Sequence, residues 1–321
     1  MADAGAPPVE PERFAVVIGT GTGGVLTTLA QDDVYERAGV RPLCPFTVPM
    51  LMPNGPAAWV SMDLGARGGA RTPVSACASG AEALALGQDL IRSGRVDVVV
   101  AGGVEACLHP FTLAAFAQMK ALSTASEGPE SVSRPFDRRR SGFVMGEGAG
   151  MMVLERPEFA RARGARTYGA LAGNAVSSSA HHITASDADG QVFAIGQALR
   201  DAGTGPRDIG VVHAHATSTA SGDLAEAEAI ARAVGGHAAV TATRSMTGHM
   251  LGASGAVGAL AALLALRDGA VPPTRNLDEL DPPGGRARDG RRCRGIPYLR
   301  VLPAPPAEST EKFQPRLQRY R

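Results

Sequence analysis

The chain has 321 residues and a formal net charge of +1, so bulk charge calls for neither a nucleic-acid nor a membrane partner. Aromatics are only 4% of the residues and there are 40 glycines, which suits small-residue helices packed closely on a sheet. Four cysteines (Cys44, Cys77, Cys107 and Cys293) lie far apart without paired metal spacing, which fits a reducing cytoplasm better than a disulfide framework.

Residues 1–12 are rich in Pro, Ala and Glu and predict a disordered leader without the apolar core of a signal peptide. Residues 14–18 predict a strand. Gly19, Gly21 and Gly24 follow in a G-x-G-x-x-G pattern. A dinucleotide fold would next need a strand ending in an acidic residue about 20 positions on. The chain there reads AGVRPLCPFTVP, so the glycines are read as a tight turn near a site. Residues 51–65 predict a helix broken near Pro56. Residues 72–103 predict a β-α-β unit, with its helix over 80–93 and a strand through Val96, Val98, Val99 and Val100. Further helices are expected over 111–122, 157–163, 191–202 and 224–234. Strands are expected over 151–154, 168–175, 209–213 and 239–243. Residues 250–266 carry no charge over 17 positions, the short limit of a membrane span. Their Gly and Ala content favours a helix buried in a layered α/β protein. The β-α alternation argues for parallel or mixed sheets covered by helices.

Cys77 sits at a strand-to-helix corner, in Ser75-Ala76-Cys77-Ala78-Ser79-Gly80. The unpaired N–H groups and dipole of a helix start favour an anion, so a thiol there is expected to have a lowered pKa and act as a nucleophile. A buried structural cysteine explains the same stretch, which alone does not separate the two. Two more corners have this form. One is His213-Ala214-His215-Ala216-Thr217-Ser218-Thr219 running on to Asp223; the other is Arg244-Ser245-Met246-Thr247-Gly248-His249. Such corners gather at the carboxyl ends of strands, where ligands bind. One thiol and two imidazoles there suit acyl transfer.

VSACASG, SRPFDRRRSGFVMGEGAG, HATSTASGD and RSMTGHMLGASGAVG together resemble the motifs of the β-ketoacyl-acyl-carrier-protein synthases, in the same order and spacing, over residues 14–281. The likeness is greatest to the elongating synthase II type. It implies a thiolase fold: two stacked βαβ-rich halves in αβαβα layers, with the first half incomplete. The halves would be 13–160, carrying the nucleophile, and 161–282, carrying both histidines. The resemblance makes Cys77 the acyl-accepting nucleophile and the source of one oxyanion-hole N–H. It makes His215 and His249 the groups that hold the malonyl thioester carbonyl during decarboxylation. His213, His181, His182, His109 and His237 are read as ordinary core or loop histidines. Thr217, Thr219 and Asp223 match motif positions and can hydrogen-bond within their loop. No metal or organic cofactor is implied. The implied partners are acyl carrier protein and a second copy of the chain, in the cytoplasm.

The sequence departs from the family at four places. The opening elements of the first half are missing, which would expose a sheet edge. Arg244 stands where lysine is usual, and the two are not interchangeable at a tight site. Gly258 stands where a glutamate is usual. Finally, the likeness fades near Pro283. Residues 284–321 are rich in Arg, Pro and Gly where the family continues into an N-S-F-G-F-G-G-like segment. A disordered or out-of-frame tail, 283–321, is expected. The rival reading is an inactive fragment or partner subunit that acts by protein interaction.

Overall fold

The computed structural model describes residues 1–126 and 128–281. Cys293 and the tail expected over 283–321 lie outside the described residues. The first half begins with strand β1 (Phe14–Gly19) and helices α1 (Val25–Ala38), α2 (Thr47–Leu51) and α3 (Gly55–Leu64), then strand β2 (Ala70–Arg71). Helix α4 (Ser79–Arg92), strand β3 (Val98–Glu105), helices α5 (Pro110–Gln118) and α6 (Pro129–Val132), strand β4 (Gly148–Glu155) and helix α7 (Pro157–Ala162) complete it. The second half has helix α8 (Ala188–Asp201), strand β5 (Val211–His213), helix α9 (Ala220–Ala233), strand β6 (Ala239–Thr241), the short α10 (Arg244–Thr247) and helix α11 (Ser254–Asp268).

The first sheet has the order β2-β1-β3-β4, with β1 parallel to β2 and β3 and with β4 antiparallel to β3. The second described sheet pairs β5 and β6 in parallel. All six residues of β1 are buried, because helices cover both faces of a parallel strand. Ala15, Val17, Val99 and Ala101 face one apolar cluster with α4; Phe14, Val16, Val98 and Val100 face another with Ala57 of α3. The chain passes very close to itself at β3. A Cβ on Gly103 would lie 2.5 Å from the Gly252 carbonyl oxygen, so only glycine lets the turn before α11 seat on the strand. That turn, Leu251–Ala253, places the α11 start beside the α4 start. By length and composition α11 with its leading turn could cross a membrane, but it is packed against α4, β3, β4 and β5 between the halves.

Several expectations need correction. The leader is not disordered. Pro7 is buried, Met1 and Val9 pack on the sheet, Arg163 Nη2 donates to the Ala4 carbonyl at 2.6 Å, and Tyr168 donates to Asp3. Its few apolar residues find a preformed sheet surface, which composition does not reveal. Residues 168–175 form no named strand; this stretch is instead held by Gln88 and Arg92 of α4, which donate to the Leu171 and Ala172 carbonyls. The helix expected over 51–65 is broken at 52–54, and Pro56 sits in the first turn of α3, where its missing N–H costs nothing. Helix α1 and the short β2 were not expected. An ion-pair knot closes the lower end of the sheet: Asp97 accepts from Arg13 Nε at 2.8 Å and Arg156 Nε at 2.7 Å. The Arg13 hydrogen bond foremost, with Arg156 aiding, holds the Asp97 carboxyl down at about 2.

Candidate active site

Three strand-to-helix corners meet at one point. Cys77 lies in a 3-10 turn, Ala76–Ala78, that leads directly into α4. Ala76 just before it has φ +52°, in the left-handed region that non-glycine residues rarely enter. Ser218, in the second corner, has φ +71°, and Leu251, just after the third, has φ +39°. Strained backbone therefore recurs at all three corners, held by the packing around them.

His249 brings its Nε2 to 3.0 Å from the Cys77 Sγ. The His215 ring stands edge-on to the His249 ring, with centroids 5.2 Å apart and an interplanar angle of 88°. Phe143 stacks edge-on against another side of His249 at 5.2 Å. The sequence-predicted trio thus comes together in space. His109, His181, His182 and His237 stay apart from it in loops. His109 caps α5 instead, its ring accepting from the Phe111 N–H.

The protonation of His249 follows from its neighbours. Its Nδ1 faces the Ser254 hydroxyl at 3.0 Å and the Arg244 Nε at 3.4 Å. Arginine can only donate, so Nδ1 accepts and the ring proton belongs on Nε2, facing the sulfur. Burial first and then the Arg244 charge push His249 down to about 3, so it is a neutral N–H donor. His215 has the same tendency. Crowding by protein and then Arg244 lower its pKa well below the ordinary value, although the residue is exposed to solvent. The direction stands on the Arg244 charge as well as on burial.

Arg244 is itself buried, and its Nη1 donates to the Ala214 carbonyl at 3.0 Å. Burial lowers it to about 10, opposed by the Glu226 carboxylate. It stays cationic and sets the potential of the site. The expectation of a lowered Cys77 pKa is overturned: burial raises it, outweighing the help of Arg244, so the resting group is the thiol. Ser79 and Gly80 at the helix start are buried and Cys77 is half-buried, and desolvation of the anion dominates there.

The frame around these groups was largely unread in the sequence. Glu226 of α9 accepts from the backbone N–H groups of His215 at 2.7 Å and Ala216 at 2.6 Å, and so aims the His215 loop. Asp223 accepts from Ser218 N at 3.0 Å and Phe136 N at 2.8 Å, which buckles the SRPFD segment onto the same loop. Burial pushes Asp223 up to about 6. Thr217 and Thr219 bond each other at 3.1 Å, which agrees with the loop-internal role expected for them. The pattern that could have found Glu226 is its spacing: it lies one helical turn after Asp223 on the same face of α9.

The donor atoms of Cys77, His215 and His249 lie within 4.8 Å of one another, a spacing that would let one soft cation bridge them. The adjacent Arg244 charge opposes a cation there. A thiol facing the His249 N–H, with the His215 ring beside it, is instead suited to form an acyl thioester and to stabilise negative charge on a carbonyl oxygen.

The buried His249 and the half-buried His213 make stability depend on pH. His213 is pushed down to about 4, by burial and then Arg244, and His249 to about 3. The folded state resists protons that the unfolded chain takes up below about 6.5, so their contribution is complete above that pH and is lost as pH falls toward 4 and 3. Asp223 acts oppositely. It keeps in the folded state a proton that the unfolded chain loses above about 4, so its contribution is present at low pH and is lost as pH rises through about 6. The three lowered imidazoles, His215 included, outweigh the two carboxyls that burial raises, Asp223 and Glu226. The urea midpoint is expected to fall between pH 7 and pH 4.5, by on the order of 2 kcal/mol in stability. An unchanged midpoint would contradict this charge assignment.

Two sheets joined by a buried small-residue helix, with a thiol and two histidines at strand ends, define a thiolase-fold condensing enzyme. Residues 1–160 match the N-terminal domain of the beta-ketoacyl synthases and residues 168–278 match their C-terminal domain. The chain belongs to the beta-ketoacyl synthase family. It is 44% identical over 284 residues to a 3-oxoacyl-[acyl-carrier-protein] synthase 2 of Mycobacterium tuberculosis, covering 87% of this chain and 68% of the relative. A synthase 2 of Synechocystis sp. is 41% identical over 276 residues, covering 84% of this chain and 66% of the relative. Among solved structures, a type II polyketide acyl carrier protein in complex with its ketosynthase aligns with TM-score 0.85 at 30% identity, covering 94% of this chain and 76% of that one. A beta-ketoacyl synthase from Burkholderia phymatum aligns with TM-score 0.83 at 33% identity, covering 93% and 71%.

Proposed function

We propose that the chain is a 3-oxoacyl-[acyl-carrier-protein] synthase that works by two-stage acyl transfer in the making of fatty acids or polyketides. The observation that carries this reading is the His249 Nε2 at 3.0 Å from the Cys77 Sγ, with a second imidazole beside it. In the first stage the Cys77 sulfur attacks the thioester carbonyl of an acyl group on acyl carrier protein. The carbon–sulfur bond to the carrier breaks, and the carrier thiol leaves with the proton from Cys77. The His249 N–H and the Arg244 charge lower the cost of the anionic sulfur during attack. In the second stage a malonyl thioester loses carbon dioxide, and the electron pair of the broken C–C bond becomes an enolate. The Nε2–H of His249 and the ring N–H of His215 hold its oxygen. The enolate carbon attacks the acyl-Cys77 carbonyl, and the Cys77 thiolate leaves and takes up a proton from solvent, which restores the resting thiol. None of these steps requires a metal or organic cofactor.

The reading extends to partners and place. Acyl carrier protein brings both acyl groups. A second copy of the chain pairs on the β2 side, where the β2 edge residues Ala70 and Arg71 and the large apolar side chains of Val48, Trp59, Met62 and Val74 are all exposed. The described free thiols, Cys44, Cys77 and Cys107, suit the cytoplasm.

The test is intact-mass analysis after incubation with an acyl-loaded carrier protein. A single acyl adduct is expected, absent from Cys77→Ala, with chain elongation when malonyl-loaded carrier is added. No adduct on the folded protein would overturn the reading in favour of an inactive partner subunit.

A further inference from the structure

His213 was read from the sequence as an ordinary histidine, and the two-stage mechanism does not use it. Its position is not ordinary. It is the last residue of β5 and pairs in register with Thr241 of β6. Its Nε2 lies 2.8 Å from the Thr243 hydroxyl and 3.4 Å from the Thr243 backbone N–H. Its other ring nitrogen lies over α11 at Gly258. A Cβ built on Gly258 would stand 2.7 Å from Nδ1 and 3.0 Å from Cε1. The ring therefore fills the notch left by a missing side chain, at the position where the family resemblance leads one to expect a glutamate.

We propose that His213 is a positioning residue of the condensing site: seated in the Gly258 notch, it holds Thr243 and thereby sets where Arg244 enters the site. The argument rests on connectivity. Thr243 is the residue before α10, and Arg244 is the first residue of that helix. The Thr243 backbone N–H can only donate, so Nε2 is the acceptor and the ring proton sits on Nδ1 against α11. A second proton would abolish that acceptor and put a cation beside Arg244. The charged group acting on the ring is Arg244 on α10, and the ring in turn acts on His215. One imidazole thus joins β5, the α10 start and α11, the three elements on which His215, Arg244 and the backbone after His249 are mounted.

This inference presumes the condensing reading for its kinetic arm but not for its chemical arm. The chemical arm is the pH profile of Cys77 alkylation by iodoacetamide, scored by mass. Arg244 lowers the Cys77 pKa. Displacing Arg244 therefore moves the alkylation midpoint upward, an effect that a purely structural loss of His213 would not produce. For His213→Ala, an upward move of roughly half a pH unit is expected with an approximately tenfold fall in kcat for condensation, at nearly constant KM for the malonyl carrier. His213→Asn keeps an acceptor near Thr243 and is expected to recover most of the loss. Gly258→Ala pushes the ring out of its notch and should act in the same direction as His213→Ala. Because the two changes act through one contact, the double variant should be no worse than His213→Ala alone. Urea midpoints confirm that each variant is folded, and Gly258→Ala keeps the test open where His213→Ala does not fold. An unmoved alkylation midpoint in both His213→Ala and Gly258→Ala, or independent effects in the double variant, would overturn the proposal. Absence of condensation in the parent protein with the midpoint still moving would sink the condensing reading and leave the positioning role standing.

Discussion

Replacing His249 with alanine is expected to lower condensation by roughly 100- to 10,000-fold while leaving the acyl adduct on Cys77 detectable. The imidazole supplies an N–H that faces the sulfur, and its partners Ser254 and Arg244 fix that tautomer. The enolate formed on decarboxylation is where negative charge develops most, and an N–H donor held in a dry site acts most strongly there. Acyl loading depends mainly on Cys77 and on its own backbone, so it should suffer less. The measurement is a single-turnover comparison of loading and elongation in His249→Ala. Equal losses in both stages would place His249 in the thiol chemistry instead. A glutamine at 249 offers an N–H at similar reach without the ring and is expected to recover part of the elongation rate.

The sequence exposed the three corners because each carries a short, chemically unusual run between a strand and a helix. Cys77, His215 and His249 could be picked out, and the structure places them side by side. The glycine-rich run after β1 was also legible as a turn near a site, since the dinucleotide pattern lacked its second strand. Other features were hidden for physical reasons. Helix α1 has almost no amphipathic face and buries no residue fully, so periodicity gives no signal for it. The leader has the composition of a disordered segment, yet Met1 and Val9 have a sheet surface to cover. The pKa of Cys77 followed from burial, a property of the assembled halves, and the local helix start pointed the other way. Acids such as the buried Glu105 and the half-buried Glu226 look like surface charges in a list of residues. Only the backbone N–H groups gathered around them show otherwise.

Glu105 carries the largest expected effect on stability. It is 4% exposed at the end of β3. Its carboxylate accepts from the hydroxyls of Thr20 at 3.0 Å and Thr22 at 2.7 Å, and from the backbone N–H groups of Gly21 at 2.8 Å, Thr22 at 3.2 Å and Gly252 at 2.9 Å. It therefore ties the glycine-rich turn of the first half to the turn that opens α11 in the second. Each orphaned buried donor costs about 1–3 kcal/mol; those of Thr20 and Gly252 are buried, and those of Gly21 and Thr22 are partly buried. Glu105→Ala is accordingly expected to cost on the order of 3–5 kcal/mol, a large part of the 5–15 kcal/mol typical of a whole domain. Glu105→Gln keeps the shape but turns an NH2 group toward donors, and should lose less. Urea unfolding of the two variants orders them. The same experiment read at Cys77 adds a second check, because the Gly252 turn lies between His249 and α11: iodoacetamide should label Glu105→Ala faster as the corner opens to solvent. A Glu105→Ala protein as stable as its parent, with unchanged labelling, would mean that the two halves are held together at the site by something other than this carboxylate.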